Sequence, residues 1–138
     1  MILIEKALSQ YGIVERPGEA DNNPEILKYF EAMGEVWVKT DETAWCSAFV
    51  NWVAISLNRE HSGKLNARSW LSVGEEIADP QVGDIVVFWR KSPHDWRGHV
   101  GFFIRRDKNV IWVLGGNQSN MVQISPYPAG RLLGYRRI

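Results

Sequence analysis

The chain carries a single cysteine, Cys46, among 138 residues. One cysteine excludes an internal disulfide, and with no CxxC pair or Cys/His cluster there is no zinc signature. No metal and no cofactor is expected. Histidine is nearly as scarce: His61, His94 and His99 are the only imidazoles. Net charge is absent, with sixteen basic residues against sixteen acidic ones. That balance does not indicate a strong nucleic-acid footprint and leaves room only for local basic patches, and Arg131, Arg136 and Arg137 read as a solvated edge. No window approaches the roughly 18 apolar residues that span a bilayer, so no membrane insertion is expected. The opening MILIEKALSQYGIVERPG has an early Glu5, a short apolar run and no basic lead, so it is not read as a signal peptide. Synthesis in the cytoplasm is expected, with any action outside requiring other machinery. Repeats and low-complexity segments are absent.

What remains is an ordinary globular composition, 45% hydrophobic and 23% charged. One domain covering 1–138 is expected, able to bury about two-thirds of its unfolded surface without staples. The first part has a helical period. Residues 2–11 form a first helix ended by Gly12, and a polar loop with the Pro17-Gly18 turn signal follows. Asn23-Pro24-Glu25 is a helix start, with Asn as N-cap and Pro at the first helical position. That helix runs to Met33 and stops at Gly34. A linker leads to a third helix ending near Asn58, and 66–73 forms a short fourth. From Asp84 the period changes to 2, giving strands at 84–90, 99–106, 109–114, 121–125 and 132–136. A helical half (1–80) followed by a β half (84–138) makes an α+β domain, helices packed on an antiparallel meander.

The stretch DETAWCSAFVNWV (41–53) concentrates the interest. Thr43 is the expected N-cap of the third helix, behind Asp41 and Glu42. Cys46, Phe49, Val50, Val53 and Leu57 then make one apolar stripe at helical spacing. Cys46 has two readings: a small hydrophobe in that stripe, or a nucleophile at a helix amino terminus. His99, at the start of a strand, would point its ring at the end of the sheet where a helix terminus can meet it. His61 and His94 lie in polar loops and read as exposed. After the third strand, Gly115-Gly116-Asn117-Gln118 is either a mere turn or the source of an amide that accepts the second ring hydrogen of His99. Of the seven tryptophans, Trp45, Trp89 and Trp96 lie near this chemistry and are candidates for stacking against a substrate.

Four phrases in this order carry a resemblance: Trp45-Cys46-Ser47-Ala48-Phe49-Val50, Gly83-Asp84-Ile85-Val86-Val87-Phe88, Gly98-His99-Val100-Gly101-Phe102 and Gly115-Gly116-Asn117-Gln118. The chain resembles the papain-like NlpC/P60 and CHAP cell-wall hydrolases, from about residue 5 onward. The Glu15–Pro17 and Asn23–Ile26 phrases look like those of phage-type and secretion-effector members. The resemblance implies Cys46 as nucleophile and His99 as base. Many NlpC/P60 members have a second histidine in the third position, and CHAP members often a glutamate or asparagine. Neither acid nor histidine is available here, so Asn117 is the choice, with Gln118 second. Asp41, Trp45, Trp89 and Trp96 are the expected substrate-binding residues.

The implied reaction is cysteine-dependent hydrolysis of a peptidoglycan amide, as N-acetylmuramoyl-L-alanine amidase or stem-peptide endopeptidase, through a thioester. The bland alternatives are a wall- or partner-binding module on the same fold, or a cysteine amidase or thioesterase with a non-wall substrate. Implied partners are peptidoglycan and either holin-dependent release, as for an endolysin, or an immunity protein, as for an injected effector. Both settings place the action in the periplasm or cell wall. Lowering a thiol pKa by two units takes about 2.7 kcal/mol, whereas a helix terminus supplies ~0.3–1 kcal/mol, up to about 2 when partly buried. A protonated His99 beside the sulfur is expected to supply the rest, as a thiolate–imidazolium pair.

Overall fold

The computed structural model describes residues 2–14, 23–34 and 45–138. Three α-helices precede a six-stranded sheet within that set: α1 (Ile2–Leu8), α2 (Pro24–Ala32), α3 (Cys46–Ser56), a 3-10 turn at Ala67–Ser72, then β1 (Glu75–Ile77), β2 (Ile85–Trp89), β3 (Gly98–Asp107), β4 (Val110–Gln118), β5 (Met121–Pro128) and β6 (Leu132–Arg137). The α+β expectation holds. β2 to β5 form the meander, and β6 returns to lie between β1 and β2, giving the order β1-β6-β2-β3-β4-β5. Every pairing is antiparallel.

Local chemistry explains the elements. The side chain of Asn23 accepts from the Glu25 amide at 3.0 Å, and Pro24 occupies the first helical position of α2. α3 departs from the expected one-sided stripe. Every residue from Cys46 to Ala54 is buried, as a helix packed on several sides must be. Its interior polar side chains are all used. Ser47 Oγ donates to the Lys64 carbonyl (2.6 Å) and accepts from the Trp70 indole (3.0 Å), while Asn51 donates to the Ser47 carbonyl and accepts from the Gly63 amide. These bonds lock α3 to the loop after it, where unpartnered polar groups would be costly.

The sheet separates two apolar layers. Ile85, Val87, Val100, Phe102 and Leu114 face the helices and join Phe49, Val50 and Trp70 in the main core. Val86, Phe88, Phe103, Ile111, Val113 and Tyr135 pack together on the opposite face. Alternation along each strand produces this division.

Three expectations need correction. The 66–73 helix is a 3-10 turn, Ala67–Ser72. β1 falls inside the stretch assigned to the helical half. The C-terminal arginines are not a bare solvated edge: Arg137 makes a two-pronged ion pair with Asp84 at 2.7 and 2.9 Å, and Arg136 donates to the Leu71 carbonyl. Among the described residues, no helix is long and apolar enough to cross a membrane.

Candidate active site

α3 starts at Cys46, with Trp45 in the cap position and no side-chain cap. Thr43, the expected cap, and Asp41, an expected substrate contact, lie outside the described residues. Cys46 is 8% exposed and His99 5%. They meet at one cavity of about 510 Å³, whose wall also includes Ala67, Trp96, Asn117 and Arg131. The cavity wraps the Gly98 end of β3. Gly98 is required there, because a Cβ would come 2.7 Å from the Phe88 carbonyl of β2.

The ring of His99 is held on two sides. Tyr127 of β5 stacks on it, centroids 4.8 Å apart and planes 17° apart, and the same phenol ring stacks on Phe88. At its edge, Nε2 lies 2.9 Å from Oε1 of Gln118. The amide nitrogen of Gln118 donates to the carbonyls of Val113 (3.1 Å) and Gln123 (2.6 Å). Both amide hydrogens are thus committed, and the oxygen that remains can only accept. Nε2 of His99 must therefore carry the ring hydrogen. Nδ1 is left with its lone pair, able to receive a proton.

Gln118, not Asn117, is the residue in contact with the ring. Strict alternation from Val113 through Gly115 would send Asn117 to the His99 face. The β4–β5 register shifts between Gly115 and Gln118, and Asn117 adopts a left-handed φ of 58°. One extra residue moves each later side chain to the other face. Gln118 takes the inward place, and Asn117 is left on the cavity wall. Ser119 and Asn120, both at positive φ (53° and 63°), close the hairpin immediately afterwards, in the tight-turn conformation that fits strand twist. Gly115 makes room for the contact, since a Cβ there would lie 2.5 Å from the Gln118 oxygen.

Burial dominates the electrostatics. It pushes the Cys46 thiol up, against the lowering influence of the Val100, Ser47 and Cys46 amides and the Arg90 charge. It pushes His99 down to about 4, against the raising influence of the Gln118 bond. Each charged form is disfavoured alone. Burial therefore works against both charges of the thiolate–imidazolium pair expected from the sequence.

The tryptophans separate. Trp45 is fully buried, close to Tyr29 and behind Gly116. It is corrected from substrate contact to core. Trp89 is half-buried under the Arg131 guanidinium, 5.0 Å from the ring centroid, and lines a smaller lobe of about 200 Å³ on the far side of His99. Trp96 is 70% exposed at the cavity mouth. Its loop is pinned by Arg68, which donates to the carbonyls of Ser92, Pro93 and Arg97. His61 and His94 are exposed. Sequence reasoning missed Tyr127, Arg90 and Arg131; for Tyr127, its place on the strand next to the GGNQ phrase was the available signal.

Comparison with known proteins agrees with this architecture. The family model described as CHAP domain matches residues 38–117. A Staphylococcus aureus structure, described as similar to a lipoprotein of the NLP/P60 family, superposes with a TM-score of 0.55 at 18% identity. The match covers 99% of this chain and 40% of that one. No curated protein matches.

Proposed function

Since the chain belongs to the CHAP domain family, within the papain-like superfamily that also holds NlpC/P60 proteins, we propose that it is a cysteine-dependent peptidoglycan hydrolase cutting an amide bond. The observation that carries this reading is the shared cavity of Cys46 and His99, with the far nitrogen of His99 fixed by Gln118. CHAP domains are in general amide hydrolases, and peptidoglycan is the substrate that family membership implies. Cys46 is the nucleophile, His99 the base and Gln118 the orienting amide.

The thiol of Cys46 attacks the amide carbonyl as its proton passes to Nδ1 of His99. The oxyanion is met by the amide of Cys46 at the start of α3, where backbone donors lack helical partners. His99 then gives its proton to the departing amine. Water, activated by the same nitrogen, releases the acyl group from the thioester. Because resting charges are disfavoured on both groups, the proton moves with the attack rather than before it. The cut falls either between N-acetylmuramic acid and L-alanine or within the stem peptide, in the wall compartment, after release through a holin or delivery as an effector guarded by an immunity protein.

Mass spectrometry of fragments released from purified peptidoglycan tests this, run with wild type and Cys46→Ala. Fragments made by wild type alone, with new ends naming the bond, are expected. Equal release by a folded Cys46→Ala protein overturns the mechanism, and no release by either protein turns the assignment toward a binding module or a non-wall amide.

A further inference from the structure

The wall of the Cys46 cavity is charged in one direction. Arg90, Lys91, Arg97 and Arg131 line it, and among the described residues that line it none is acidic. Arg97 is partnered by Asp95 at 2.9 Å. Arg90, Lys91 and Arg131 have no acidic partner among the described residues. This is not inherited from a basic chain, because the whole sequence balances sixteen against sixteen. The four come from three separate places. Arg90 and Lys91 follow β2, Arg97 precedes β3, and Arg131 ends the short turn after β5. The fold converges them on the nucleophile.

Their positions are supported from beneath. Trp89 lies under Arg131, and Trp96 under Arg97 at 5.6 Å. Lys91 is held at a left-handed φ of 70°, a conformation that costs a non-glycine residue free energy. Arg90, Arg131, His99 and Asn117 border both the main cavity and the smaller lobe beyond the ring. Two of the unpaired cations therefore stand on the boundary between the lobes, where the halves of a substrate on either side of a scissile bond would meet.

We propose that Arg90, Lys91 and Arg131 form a carboxylate subsite, so that the preferred substrate is a peptide with a free carboxylate close to the scissile amide. This rests on the amide-hydrolase reading above and specifies its substrate. Guanidinium groups pair with carboxylates through two parallel hydrogen bonds, so a free acid and its amide are distinguishable there. Peptidoglycan stems offer that choice directly, since their side-chain carboxyls occur both free and amidated. The free-acid form is the one this wall selects.

Two experiments separate the subsite from the hydrolase assignment. The first needs no wall substrate. Cys46 is alkylated with iodoacetate and with iodoacetamide, the sulfur displacing iodide and its proton passing to buffer through His99. A cationic wall concentrates the anionic reagent, so the iodoacetate-to-iodoacetamide rate ratio should exceed that of 2-mercaptoethanol by about fivefold or more at low salt, and fall in high salt. In the Arg90→Gln/Arg131→Gln double variant the ratio should return to that of the small thiol. An unchanged ratio in wild type overturns the proposal.

The second compares synthetic stem peptides that are identical except for one carboxyl, free or amidated. Wild type should favour the free acid in kcat/KM by about tenfold, the discrimination expected of one bidentate charged pair, and the double variant should not. Equal cleavage of both peptides overturns the carboxylate subsite while leaving the hydrolase intact. Cleavage of neither, with the alkylation preference present, supports the subsite and moves the substrate away from the wall.

Discussion

The side-chain oxygen of Gln118 sits 2.9 Å from Nε2 of His99, while the nitrogen of the same amide is bonded to the Val113 and Gln123 carbonyls. Gln123 returns the bond by donating to the Gln118 carbonyl at 2.6 Å. The amide therefore cannot turn without breaking two bonds. On the proposed mechanism its contribution is to fix which nitrogen of His99 acts as base, and the effect of changing it should be read in turnover. Gln118→Ala should lower kcat by about 5–150-fold, equivalent to losing ~1–3 kcal/mol of hydrogen bonding at a buried group. Asn117→Ala, measured beside it on the same peptide, should lower kcat by much less. The reverse ranking would restore Asn117 to the third position.

Two neighbouring glycines should part company. A Cβ at Gly115 meets the Gln118 oxygen at 2.5 Å and His99 Nε2 at 3.4 Å, whereas one at Gly116 meets Phe49 and Trp45 at 2.8 Å. Gly115→Ala should impair kcat about as much as Gln118→Ala does, with thermal stability changed little. Gly116→Ala overpacks the core and should cost about 1–3 kcal/mol of stability. Chemical denaturation and peptide turnover, run on both variants, check the split.

Tyr127 should matter as a ring and not as a phenol. Its stack on His99 and Phe88 is retained in Tyr127→Phe, which should keep most activity. Tyr127→Ala removes a stack worth ~0.5–1.5 kcal/mol beyond its burial. It frees the imidazole to rotate, so kcat should fall more than KM rises. The split between the two constants is the measurement.

His99 predicts a pH dependence of stability. Its folded pKa is lowered to about 4 from 6.5 by burial. Between those values the unfolded chain binds a proton that the folded chain refuses, so stability rises with pH across that window. Stability is fully present above 6.5 and declines as pH falls toward 4. The loss approaches 3 kcal/mol, at ~1.36 kcal/mol per unit. Urea midpoints from pH 7 to 4 should show the decline, and His99→Gln should flatten it.

The sequence disclosed most where a signal is local. Asn23-Pro24-Glu25 announces α2 because capping chemistry lies within three residues. The switch from period 3.6 to period 2 near Asp84 announces the sheet, because alternation is repeated in β2 and β3. Cys46 at the head of a helix and His99 at the head of a strand were legible for the same reason. What was missed depends on partners distant in the chain. β1 has only Glu75, Glu76 and Ile77, too short for any period, and is defined by Arg137, Arg136 and Tyr135 opposite it. Gln118 was ranked below Asn117 because a bulge cannot be seen in a run of polar residues. Trp45 borders Cys46 in sequence yet is fully buried, since the residue before a helix takes its direction from the packing and not from its neighbour. Arg131 was read as solvated edge because its place beside Trp89 depends on a turn that only the finished sheet creates.

β6 comes after β1 to β5 in sequence, yet it lies inside the sheet between β1 and β2. A ribosome delivers β2, β3, β4 and β5 as a run of hairpins, each able to pair with the one before. β2 keeps an open edge until 132–137 emerge, and β1 has no strand to join. High contact order of this kind slows folding. Among the wall residues only Arg131 adjoins that strand, so the cationic side of the cavity is completed last. Synthesis and competence are thereby separated in time: a nascent chain holds its cysteine and histidine well before it holds the finished pocket.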